Sequence, residues 1–62
     1  MRLITATDLT FTSDLELERM IREFADRLRV TDATSYDYAV LRDSLAIMKR
    51  VQTARRKRRP GL

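Results

Sequence analysis

Neither cysteine nor histidine occurs in this 62-residue chain. Their absence excludes a disulfide framework, the usual zinc sites, imidazole ligation of haem and every catalytic dyad built on a thiol or an imidazole. Redox compartment is left open, since there is no thiol to report it. Glycine is confined to Gly61, so no glycine-rich loop can cradle a phosphate. The single proline is Pro60, which leaves nothing upstream to interrupt a helix. Apolar runs are short, at 39–41 and 45–48, far below the roughly 20 residues of a membrane span. The first residues carry one positive charge and meet Asp8 before any apolar stretch develops, unlike a signal peptide. These absences point to a soluble chain without metal, cofactor, membrane partner or small-molecule substrate.

What is present is charge, unevenly placed. Residues 1–43 hold six basic and nine acidic side chains, whereas residues 44–62 hold seven basic and none acidic. The body is therefore mildly acidic and the C-terminal third strongly basic. A block of like charge repels itself and usually serves as an arm for a polyanion.

The N-terminal stretch, residues 2–11, is rich in threonine and in branched or aromatic types. Leu3, Thr5, Thr7, Leu9 and Phe11 alternate with Ile4, Ala6, Asp8 and Thr10, a pattern that predicts a short strand or extended arm. No second strand is legible. Its partner would then belong to another chain.

Ser13-Asp14-Leu15-Glu16 has the form of a capping box. It opens a segment in which Leu17, Met20, Ile21, Phe24 and Leu28 form one apolar stripe, predicting a helix over 14–29. Glu18 with Arg22, and Glu23 with Arg27, are spaced for i,i+4 pairing. Residues 30–35 supply several capping types, and Thr34 followed by Asp37 suggests a second box, with Asp32 as an earlier alternative. The second helix then meets no stop before Pro60 and is free to run into the basic tail.

On a helical wheel the second helix carries too much apolar surface for one neighbour. Tyr36, Val40, Ile47, Val51 and Ala54 form one row, with Leu41, Leu45 and Met48 beside it. Together they span close to ~200°, about twice the arc that one packing face needs. In a chain of this length a single core is marginal. The surplus requires the N-terminal segment, another subunit, or both. Val40, Leu41, Ile47, Met48 and Val51 are accordingly the candidate oligomer interface, and Phe24 and Leu45 the candidate centre of the hairpin. The fold class expected is mainly α: an N-terminal extended strand or arm, then a two-helix hairpin over 1–54, completed by oligomerisation, with a basic tail over 55–62.

The chemistry-bearing feature is Lys49, Arg50, Arg55, Arg56, Lys57, Arg58 and Arg59. Guanidinium groups bind phosphate through paired, permanently charged donors, and each neutralised phosphate releases counterions. These seven residues are the candidate contact for nucleic acid or an acidic partner. The acids Glu16, Glu18, Glu23 and Asp26 interleave with arginine and read as a solvated, ion-paired face. Ser13 and Ser35 read as caps, Tyr36 and Tyr38 as packing residues, and Met1, Met20 and Met48 as gap-fillers. No catalytic residues emerge, and an enzyme is not expected.

The order strand, helix, helix over roughly residues 2–51 resembles the ribbon-helix-helix family of dimeric repressors. That resemblance implies paired strands entering a DNA major groove, with Thr5 and Thr7, or Arg2 and Ile4, pointing outward. The chain departs from it in its glycine-free turn, its Asp8, its long first helix and the placement of basic charge. Its size and the arginine-rich run from Arg55 to Gly61 are similar to small basic head-completion proteins of tailed bacteriophages. That second resemblance implies an oligomerising, non-enzymatic assembly protein, cytoplasmic or virion-associated, whose tail reaches nucleic acid or an acidic neighbour.

Overall fold

A computed structural model of the chain describes residues 3–57. Within them stand a short 3-10 helix, Thr7–Leu9, and two long helices, α1 (Asp14–Val30) and α2 (Tyr36–Lys57), which pack as a hairpin. Both expected helices form, α1 one residue longer than anticipated. Arg58, Arg59 and the proline that would end α2 lie outside the described residues.

Helix α1 starts where its sequence provides a cap. The Ser13 hydroxyl accepts the Glu16 amide at 3.1 Å, with Ser13 in extended geometry. It ends at Thr31, whose hydroxyl donates to the Arg27 carbonyl at 2.6 Å and whose amide donates to Leu28. The five-residue connection, 31–35, turns without glycine because side chains close it. The Asp32 carboxylate accepts both the amide and the hydroxyl of Thr34, at 2.9 and 2.8 Å. The Ser35 hydroxyl donates to the Asp32 carbonyl and accepts the Tyr38 amide at 3.1 Å. Ser35 therefore caps α2, and Thr34 belongs to the turn instead. A hydroxyl one residue nearer the first helical amides reaches them where Thr34, drawn back to Asp32, does not. The expected pairs Glu18–Arg22 and Glu23–Arg27 are not among the ion pairs of the described residues; on α1, Arg29 bridges Asp26 at 2.8 Å.

The N-terminal expectation is corrected. No strand forms among the described residues, and Thr7–Leu9 is a 3-10 helix. A lone strand has no ladder for its amides, whereas this sequence satisfies them locally. The Thr5 amide and hydroxyl donate to Asp8 Oδ2, and the Asp8 amide donates back to Thr5 Oγ1. The predicted alternation fails with it: Leu9 is buried while Phe11, on the same side of an extended chain, is 99% exposed.

The segment lies on the hairpin rather than reaching for another chain. The Ile4 amide donates to Oγ of Ser44, a fully buried residue of α2, at 3.1 Å. Leu9 joins Leu17, Leu45 and Met48 in one buried cluster, with Ile4, Met20, Ile21, Phe24, Leu28, Ile47 and Val51 packed against it. Val40 and Leu41 are buried as well. Most of the surplus apolar arc of α2 is thus covered within one chain, from one side by α1 and from the other by the N-terminal segment, while Tyr36 and Ala54 stay exposed. Of the five residues expected at an oligomer interface, Val40, Leu41 and Met48 are interior, and Ile47 and Val51 half-buried.

Candidate polyanion interface

Helix α2 divides by angle into two faces, because successive residues turn by about 100°. Taking Ala46 as origin, the residues from Val40 onward between roughly 100° and 260° are Val40, Leu41, Ser44, Leu45, Ile47, Met48, Val51, Gln52 and Arg55, all buried or half-buried; Asp37, in the first turn at the same angle, is exposed. The opposite arc carries Arg42, Lys49, Arg50, Arg56 and Lys57, every one exposed. These five fall within about 120° of the circumference.

The helix thus continues without a break across the boundary at residue 54 that separates the expected core from the expected tail. Its basic residues from Lys49 to Lys57 project from one continuous helix, and packing decides which of them face outward. Arg29 and Asp26 belong to a different surface, on α1.

Arg55 goes the other way. Its Nη1 donates to Asp14 Oδ1 at 2.8 Å and its Nη2 to the Leu9 carbonyl at 2.8 Å. Its side chain is 27% exposed, against 69% for Asp14. The same Leu9 carbonyl accepts the Thr12 amide at 3.1 Å. Arg55 therefore ties the 3-10 helix and the first turn of α1 to the last turns of α2. The forked guanidinium can serve both acceptors at once, which a lysine ammonium does less well.

Within the exposed arc the side chains form two rows. Lys49 and Arg56 lie on the side towards α1, and Arg50 and Lys57 on the other. Between them run Ala46 and Thr53, and Ala54 lies just beyond the Arg50–Lys57 row; these three with Lys49, Arg50 and Lys57 line a shallow trough along the helix. The α1-side row borders a second depression lined by Asp14, Glu18, Gln52, Arg55 and Arg56. One of its acids, Asp14, is already paired with Arg55. Towards the N-terminus the basic arc ends at Asp43, to which Arg42 Nε donates at 3.3 Å.

The remaining candidates of the sequence reading are placed as follows. Tyr38 is half-buried, in keeping with packing, whereas Tyr36 is 74% exposed and packs little. Among the described residues no cluster of three or more potential metal ligands converges. No helix among the described residues is long and apolar enough to cross a membrane.

Sequence reasoning missed the inward turn of Arg55 and the buried Ser44. Both carried a signal, since each sits at the centre of the apolar arc of α2 on the wheel. A polar residue at such a position must find a partner on whatever covers that arc. The chain matches no family model, no curated protein and no solved structure.

Proposed function

We propose that this chain is a non-enzymatic assembly protein that holds nucleic-acid phosphates on the exposed basic face of α2. The observation that carries the reading is the segregation of charge on one helix. Lys49, Arg50, Arg56 and Lys57 share an exposed arc with no acid on the chain after Asp43. Arg58 and Arg59 continue the run in sequence. Dense positive charge already held on a helix lowers the ordering cost of meeting a polyanion, compared with a free tail. Assembly is the second half of the proposal. Phe11, Leu15, Val30 and Tyr36 leave large apolar surfaces in solvent, and a core this small gains from association.

This reading is favoured over a ribbon-helix-helix regulator because that mechanism needs a strand to enter the groove, and the residues available form a 3-10 helix. The test is fluorescence anisotropy of the full chain with two unrelated DNA duplexes over a range of salt. Equal affinities for both, falling steeply with salt, are expected, since phosphate contacts carry no sequence information. Replacing Lys49, Arg50, Arg56 and Lys57 together by glutamine should abolish most of the binding. A preference for one duplex by a factor of about 10³ or more would identify a sequence-specific regulator instead.

A further inference from the structure

From the two-row geometry of the basic arc we infer that its partner is B-form duplex DNA, and that the C-terminal half of α2 seats in the major groove with one basic row towards each strand. This inference rests on the phosphate-binding reading above and goes further, to the form of nucleic acid and the mode of docking.

Three features argue for it. First, α2 from Ala46 to Lys57 is an uninterrupted stretch of helix about 18 Å long, at about 1.5 Å per residue. It is free of α1 on the exposed side. Second, Lys49 and Arg56 are separated from Arg50 and Lys57 by roughly 80–120° around the helix. Long side chains leaving at that angle straddle a channel; a flat surface would be met by one row only. Third, the strip between the rows is low. Ala46 and Thr53 occupy it, in the trough that Lys49, Arg50 and Lys57 also line. The B-DNA major groove is about 12 Å wide and admits a helix. Small residues on the leading edge let the backbone sink far enough for both rows to reach phosphates.

The alternatives fit less well. The major groove of A-form RNA is too deep and narrow for a helix to enter. A single strand offers one line of phosphates for two rows, and its bases would need aromatic platforms. From Ala46 to Lys57 the exposed arc carries none. Within the trough Thr53 supplies a lone hydroxyl among alanines, which accounts for binding without strong base preference.

The full chain would be titrated against a short mixed-sequence DNA duplex, the RNA duplex of the same sequence, the DNA single strand, heparin and polyglutamate. Three variants accompany the parent. Lys49→Gln with Arg56→Gln removes one row, and Arg50→Gln with Lys57→Gln removes the other. Ala46→Leu with Thr53→Leu fills the strip without changing charge. Circular dichroism confirms that each variant keeps its helices.

Tightest binding to duplex DNA is expected. Each row variant should flatten the salt slope by a similar amount, up to about 1.8 for two duplex phosphate contacts. The leucine variant should lose its advantage for duplex DNA and bind it no better than the single strand, with heparin affinity unchanged. If RNA duplex binds as well as DNA, or the leucine variant keeps full duplex affinity, groove seating is overturned while phosphate binding stands. A salt slope that responds to one row alone also overturns it. Polyglutamate bound as tightly as the duplex, or unaltered binding when all four basic residues become glutamine, overturns the phosphate-binding reading itself.

Discussion

Arg55 and Arg56 are neighbours of the same type, yet the fold gives them opposite surroundings. Arg55 donates to Asp14 and to the Leu9 carbonyl, while Arg56 is exposed. Arg55→Gln should therefore destabilise the chain, with loss of the ion pair adding only about 0.2–1 kcal/mol because Asp14 is solvated. Loss of the donor to Leu9 adds about 0.5–1.5 kcal/mol. Arg56→Gln should leave the melt unchanged and weaken polyanion binding. Paired urea melts and binding titrations separate the two, and equal melts for both variants would remove the structural role assigned to Arg55. Asp32 makes a comparable point in the interhelical turn. The Thr34 amide, and then its hydroxyl, hold the Asp32 carboxyl below its ordinary value of 3.8 by favouring the charged form. Its folded value is depressed, so its contribution is present above pH 3.8 and fades as pH falls through the folded value. A carboxyl NMR titration should show a midpoint under 3.8 in the parent, moving up towards it in Thr34→Ala, which removes only the hydroxyl.

At the scale of elements, each helix is held by an apolar stripe and a hydroxyl cap. Leu45 is buried against Leu17, Met48 and Leu9, and Phe24 packs on that cluster from α1 while keeping partial exposure. Leu45→Ala should cost about 2–5 kcal/mol, and Phe24→Ala the lower part of the usual range of about 3–5 kcal/mol. Chemical denaturation measures both; parent-like melts in both variants would mean the hairpin is packed through other residues. Much of this was legible in the sequence. The stripe from Leu17 to Leu28 and the Ser13 cap follow from spacing alone, and nothing between Tyr36 and Pro60 could end α2. The second cap was misplaced by one residue, because Thr34 and Ser35 are both able caps. Only the Asp32 turn, which draws in the Thr34 hydroxyl, decides between them. The N-terminal segment was misread for a related reason. Alternating threonine and apolar residues suit a strand, but the Thr5–Asp8 exchange and the burial of Leu9 favour a compact turn. Local hydrogen bonds of that kind do not show in hydrophobic periodicity.

The whole molecule is a hairpin whose apolar residues are divided between a small interior and its ends. The basic face of the candidate site was legible as composition but not as a face, since the angle at which α1 and the N-terminal segment cover α2 decides that Lys49 and Arg50 point out and Arg55 in. The same covering relocates any self-association. Val40, Leu41 and Met48 are closed off, so an interface must use what remains in solvent. Phe11 is 99% exposed and Leu15, at the start of α1, 69%; an aromatic ring left fully in water gains about 25 cal/mol for each Å² it buries. A 62-residue chain with a core of this size is marginal alone, and association adds stability by mass action. Sedimentation at micromolar concentration should therefore show a dimer or larger species whose melting temperature rises with concentration. Replacing Phe11 and Leu15 together by serine should shift the population to monomer and remove that concentration dependence, because neither residue supports the interior. A parent chain that sediments as a monomer and melts cooperatively at every concentration would remove assembly from the proposed function. The proposed binding of duplex DNA by the basic face of α2 would then have to be a property of one copy at a time.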